Sequence, residues 1–295
     1  MKLDLAVVSP TFLDLTFVGL EGLPALGAEL FAGDLLRSPG GGAITAVAGA
    51  RLGLSTALAS PLGDDVAGGF LREQLAAEGV HVLGRRARVT PVTVVMPVAG
   101  DSAMVTVDHG VRCTAADVAD LEPRAIVAGL DQLSCVSPGV CAYVTCGNDD
   151  ARAFARRLPA GLEDTRALLL RRHDALLLTE RSDVEEALDD LARSVETVIV
   201  TDALGGATAI VEGRRHEVPG IEPDRPVVDT TGVSDLFMAA YVWADLRGAD
   251  AEERLRWAVL YAGLSVTSPT AVGGAGTEAQ LFEEGARRGL EPSVR

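Results

Sequence analysis

Lysine is almost missing from these 295 residues, with Lys2 the sole example although arginine is plentiful. Several chemistries are thereby excluded: a Walker A loop, the third strand of a protein kinase and a pyridoxal Schiff base each require a lysine in the site. Any phosphate handled by this chain must be met by backbone amides, arginines or a metal ion. Positive charge as a whole is scarce, and a formal net charge of −16 argues against nucleic acid, which needs a concentrated basic face. No apolar run approaches the roughly 18 residues that cross a bilayer, and Met1-Lys2-Leu3-Asp4 lacks the basic start of a signal peptide. A cytoplasmic chain without a membrane partner is expected. The histidines His81, His109, His173 and His216 are scattered, so no hydrolase triad is supported. Cys113, Cys135, Cys141 and Cys146 show no C-x-x-C spacing and read as free thiols rather than a zinc site.

Short apolar runs alternate with segments of helical spacing. Strands are expected at Leu3–Val8, Thr56–Ser60, Ala125–Ala128, Ala142–Thr145, Ala175–Leu178 and Val198–Thr201. Helices are expected up to Gly53 and over Ala67–Glu78, Asp150–Arg157 and Asp183–Arg193. Such alternation predicts an α/β fold with a mostly parallel sheet covered on both faces, ligands sitting at the carboxyl ends of the strands. Two stretches lack intervening helices: Thr16–Leu20 with Glu29–Leu36, and Val92–Val98 with Ala103–Val107 around the turn Ala99-Gly100-Asp101-Ser102. They read as strand pairs. No repeat, linker or low-complexity segment divides the chain.

The most informative stretch is Asp229-Thr230-Thr231-Gly232-Val233-Ser234-Asp235, which leads into an apolar helical run. A small-residue turn opening a helix leaves amides free to hold an anion. An Asp at its end can take the proton of a hydroxyl that attacks phosphorus. Phosphoryl transfer to an alcohol is the chemistry this predicts.

This segment resembles the second signature of the PfkB/ribokinase family of carbohydrate and nucleoside kinases, D-T-x-G-A-G-D. The first signature has its counterpart in Pro39-Gly40-Gly41-Gly42-Ala43-Ile44, followed by Ala50-Arg51-Leu52-Gly53-Leu54 and Gly63-Asp64-Asp65. The resemblance runs over nearly the whole chain. It implies one ribokinase-like domain spanning 1–295, a three-layer α/β/α sandwich with a small β lid from about 15–37 and 90–108. It implies an ATP-dependent kinase acting on a hydroxyl of a sugar, nucleoside or related polyol, with Mg2+ and K+ as ions and a homodimer through the lid. The alternative is a catalytically impaired relative that binds nucleotide or sugar in a regulatory role.

The same resemblance assigns roles residue by residue. Asp235 would be the general base, although Asp is also a preferred helix cap, and Gly232, Val233 and Ser234 would supply the anion hole. Val233-Ser234 stands where the family has Ala-Gly: Ser234 costs roughly 1–2 kcal/mol if that position needs a positive φ, and otherwise adds a hydroxyl. Asp14 would bond substrate hydroxyls beside Gly40 and Gly41. Ile44 replaces an expected Asn and is equally compatible with burial, and Phe12 replaces a polar residue, favouring a less polar acceptor than ribose. Thr201, Gly205 and Gly206, with Ala203 in place of a glycine, and Gly273 and Gly274 would bind nucleotide. Asp229 and Thr231 would hold the monovalent cation or form a plain turn. The family's N-x-x-E metal motif is expected at Thr179 and Ser182, which leaves Glu180 and Asp183 as stand-ins for magnesium.

Overall fold

A computed structural model describes residues 2–99, 101–202 and 204–293, so Gly100 and Ala203 lie outside the described residues. In chain order the elements are β1 (Lys2–Val8), β2 (Thr11–Val18), β3 (Asp34–Gly41), α1 (Gly42–Arg51), β4 (Thr56–Ala59), α2 (Val66–Ala77), β5 (His81–Leu83), β6 (Val92–Val98), β7 (Asp101–Val107) and α3 (Ala115–Val118). They continue with β8 (Glu122–Gly129), β9 (Ala142–Cys146), α4 (Asn148–Ala153), β10 (Ala167–Arg171), α5 (Arg172–Thr179), α6 (Val184–Leu191), β11 (Thr197–Asp202), β12 (Gly206–Val211) and β13 (Arg214–Pro219). The chain closes on α7 (Val233–Leu246), α8 (Ala251–Ser265), α9 (Ala271–Gly274) and α10 (Glu278–Arg287).

Nine strands form the main sheet in the order β13-β12-β11-β10-β9-β8-β1-β4-β5. Seven of them run parallel, from β11 to β5, and β12 and β13 extend the sheet antiparallel. The period-2 alternation of the strands divides the apolar residues between two cores. Leu169 and Ile199 face a core shared with α1, α7 and α8, whereas Leu168, Leu170, Val198 and Val200 face one shared with α5 and α6. α7 is buried on every side from Leu236 to Ala244, which is why its sequence reads as continuously apolar rather than amphipathic. At β1 the strand order turns, with β4 on one side and β8 on the other, a place where α/β sheets open a crevice.

A second sheet of four strands, β3-β2-β6-β7, stands apart as the expected lid. β2 runs further toward the N-terminus than the sequence suggested, and β3 begins later, so that Asp14 lies within the lid strand opposite Ser38. One expectation is corrected. Ala175–Leu178 is helix, part of α5, and the strand of that unit is β10, eight residues earlier, where the same tetrapeptide Ala-Leu-Leu-Leu occurs at 167–170.

Candidate active site

The N-terminus of α7 forms one wall of a cavity of about 250 Å³, with Thr230, Thr231, Gly232, Val233, Ser234 and Asp235 on its lining. Gly232 holds a left-handed conformation (φ 74°), and a Cβ there would lie 2.5 Å from the Ala271 Cβ and 2.8 Å from the Ile44 side chain. Only glycine fits on both counts. Ser234 already lies inside the helix, with no positive φ, so its replacement of glycine carries no backbone strain. The amides of Gly232, Ser234 and Asp235 donate to no other described residue, and Val233 N makes only a long 3.4 Å bond to Thr230 O. Free donors at the positive end of a 14-residue helix are suited to receive an anion.

Asp235 lies in the first turn of that helix and keeps part of its surface open to the cavity. Its carboxylate accepts from Thr45 Oγ1 of α1 at 3.3 Å. Burial pushes its pKa up to about 6, opposed by the Thr45 bond and by the positive charge of Arg171. Asp14 is only 7% exposed. Desolvation raises it to about 7, and the nearby charges of Asp235 and Asp229 add to the rise. Gly40 makes room for it: a Cβ at residue 40 would overlap the Asp14 carboxyl, whose atoms lie 2.1 to 2.3 Å from that point. Three carboxylates thus converge from β2, the loop before α7 and α7 itself.

The remaining expected residues separate into groups. Asp14, Phe12, Gly40 and Gly41 stand beside the cavity rather than on its wall, and Phe12 packs against Gly41. Ile44 is buried behind the Gly232 turn, which removes it from the acceptor pocket. Asp229 Oδ1 accepts from Thr231 N at 2.9 Å, Thr231 Oγ1 at 2.7 Å and Ser102 Oγ at 2.9 Å. The first two bonds close an Asx turn and the third fastens the lid strand β7 to the main domain. Three donors meeting this one oxygen fix the turn that carries Asp229 and Thr231.

Thr201 and Gly206 line an apolar crevice with Ile221, Val233, Phe237 and Gly263 that measures about 10 Å³, room for about one water. It adjoins the anion hole through Val233. Gly205 lies exposed at the turn into β12. Gly273 and Gly274 open instead onto a separate polar cavity with Arg51, Arg225 and Tyr261, so the structure does not bring the two glycine segments into one pocket. Gly274 serves close packing, since a Cβ there would meet the Ser265 backbone at 2.7 Å.

Glu180 and Asp183 are corrected as metal candidates. α5 is 8 residues long, which places its C-cap Glu180 about 12 Å from the cavity end. Glu180 pairs with Arg156 at the surface, and Asp183 caps α6 through Glu185 N and Glu186 N. The residues that follow the true strand are Arg171 on the cavity wall and Asp174, entirely buried in the first turn of α5. Sequence reasoning missed both, along with Ser102, Met104, Thr145 and Cys146, which also line the cavity. The usable signal was the carboxyl ends of β9 and β10, where open α/β sheets place ligands. Among the described residues no group of three or more His, Cys, Asp or Glu is placed to hold a metal. A magnesium ion that arrives with a nucleotide is held mainly by phosphate and water with one or two carboxylates, so it does not need such a group.

A mostly parallel sheet, a β lid tied through Ser102 to Asp229 ahead of α7, and a helix start whose free amides lead to a carboxylate define a phosphotransferase-type scaffold. The family model described as "pfkB family carbohydrate kinase" matches residues 31–96 and 135–277, and the chain belongs to that family. It is 27% identical to the ribokinase of Bacillus subtilis (strain 168) over 300 residues, covering 95% of this chain and 98% of the relative. The Arabidopsis thaliana ribokinase complexed with ribose and ATP superposes with a TM-score of 0.76 at 22% identity, over 96% of this chain and 99% of that one. A nucleoside kinase of Methanocaldococcus jannaschii does so with a TM-score of 0.75 at 18% identity, over 96% and 98%. Among the described residues no helix is long and apolar enough to cross a membrane.

Proposed function

We propose that this protein transfers the γ-phosphoryl group of ATP, supplied as its magnesium complex, to a hydroxyl of a sugar, nucleoside or related small polyol. The observation that carries the reading is the set of unpartnered amides at Gly232, Ser234 and Asp235 in one cavity with the Asp235 carboxylate. In the proposed reaction the acceptor hydroxyl lies against Asp235, which takes its proton as the oxygen attacks the γ-phosphorus and the bond to the β-phosphate oxygen breaks. The amides receive the charge that develops on the transferred group, where they need no reorganisation. Asp14 orients neighbouring hydroxyls of the acceptor, and the lid, held by Ser102 on Asp229, keeps water out. The nucleobase has its natural place in the crevice beside Val233, which must widen between Leu204 and Ile221 to admit it.

A thermal-shift screen of sugars and nucleosides with and without ATP and magnesium finds the ligand, because stabilisation grows with ligand concentration. On the acceptor so found, Asp235→Asn is expected to abolish transfer while ATP affinity stays within about twofold, since the amide keeps shape and hydrogen bonding without basicity. Full activity of that variant would overturn the mechanism. Absence of any shift with millimolar ATP would overturn the nucleotide assignment itself.

A further inference from the structure

Arg171 is the last residue of β10 and the sole basic side chain lining the cavity among the described residues. Arg172, next in the chain, does not join it there but turns to Asp202 at 3.6 Å. The guanidinium Nε donates to Asp174 Oδ2 at 2.6 Å. Asp174 is completely buried, and its Oδ1 has no hydrogen-bond partner. A buried carboxylate with one oxygen spent on a single arginine is costly unless that arginine is essential in place. The two terminal nitrogens of Arg171 make no hydrogen bond to any described residue, although half of the side chain is exposed and borders the cavity. A guanidinium pinned through Nε presents its other edge as a planar fork suited to two oxygens of one phosphate.

We propose that Arg171, oriented by Asp174, binds the phosphate chain opposite the α7 amides and supplies there a fixed positive charge in place of a protein-held metal ion. The inference rests on the kinase reading for the identity of the anion but not for its binding. It also accounts for the altered motif. The identical tetrapeptides at 167–170 and 175–178 displaced the expected Asn and Glu by eight residues, and at the corrected place the chain has Arg171 and Asp174, a cation neutralising the carboxylate that a metal would otherwise use. The positive charge of Arg171 is also felt at Asp235, whose carboxylate it favours.

The test is calorimetric titration of the full chain with inorganic tripolyphosphate and with ATP, each with and without magnesium. The variant is Arg171→Gln with Asp174→Asn, which removes both charges and leaves no buried carboxylate unpaired. Without magnesium, tripolyphosphate affinity is expected to fall about ten- to a hundredfold, the range for losing a charge-assisted contact. Unchanged affinity in a variant that melts like the wild type overturns the proposal, as does failure of the wild type to bind either polyphosphate at millimolar concentration. Should the double variant not fold, Arg171→Lys decides, because it keeps a cation for Asp174 but loses the fork: about a threefold or greater loss is expected, and no loss overturns. Arg171-dependent polyphosphate binding without transfer to any acceptor would leave this inference standing and remove the kinase reading instead.

Discussion

Replacing Asp14 by Asn is expected to stabilise the protein while damaging the site, and the size of the effect follows from the structure. Asp14 is nearly sealed from solvent, faces the charges of Asp235 and Asp229, and accepts no hydrogen bond from the described residues. Its pKa rises from 3.8 to about 7. A carboxyl raised on folding favours the native state fully below its unfolded value, and that advantage is lost as pH climbs through the folded value. At 1.36 kcal/mol per pH unit, the wild type forfeits about 2 kcal/mol between pH 4 and 5.5 and about 2 more by pH 8. An amide does not ionise, so Asp14→Asn escapes the loss, less about 1–2 kcal/mol for burying an amide with incomplete hydrogen bonding. The variant is therefore expected to exceed the wild type by about 2–3 kcal/mol at pH 8, and the gap should shrink by about 2 kcal/mol at pH 5.5. Urea melts at those two values measure it, both being above the pI of about 4.6 where solubility is least. A gap that is absent at pH 8, or identical at both pH values, would refute the argument that three carboxylates strain this site. Acceptor affinity should fall in the same variant, because a hydroxyl then meets an amide in place of an ionisable carboxyl.

Because Asp235 must be ionised to accept a proton and its pKa lies near 6, kcat/KM should rise with pH through about 6 and level off above 7. A rate independent of pH between 5 and 8 would count against it as base. Gly232→Ala should cost at least about 1–2 kcal/mol in stability from the left-handed backbone alone, measured by chemical denaturation. Turnover in the same variant should drop by about 10²- to 10³-fold as the anion hole distorts, and wild-type turnover would show that these amides do not hold the reacting group. The outer lid strand β7 leaves Val105 and Val107 exposed on the face away from the cavity, and the β2–β3 connection leaves Leu30 and Phe31 exposed. A homodimer through these surfaces is expected by sedimentation, with Val105→Glu giving a monomer, and a monomeric wild type at micromolar concentration would end that idea.

The sequence by itself determined the layered α/β plan, because alternating apolar runs of strand and helix length have few other ways to bury their faces. It also determined the turn that opens α7 with free amides, since Gly232 followed by an apolar helix and preceded by Asp229 and Thr231 is local chemistry that needs no distant partner. The contact between Asp235 and Thr45 joins residues 190 apart and is not local, nor is the field that raises Asp14. Only the tertiary structure set these. The clearest case is Ala-Leu-Leu-Leu, which is a strand at 167–170 and a helix at 175–178. Nothing within the tetrapeptide distinguishes the two copies. The first is fixed by parallel pairing with β9 and β11, the second by Asp174 and Arg171 at the start of the helix and by packing of Ala175 and Leu178 against the sheet. Side-chain propensity is worth tenths of a kcal/mol per residue, whereas the burial and hydrogen bonding of a central strand are worth several times that. Burial and strand pairing therefore chose which copy became the strand, and with it placed Arg171, rather than Glu180, at the cavity.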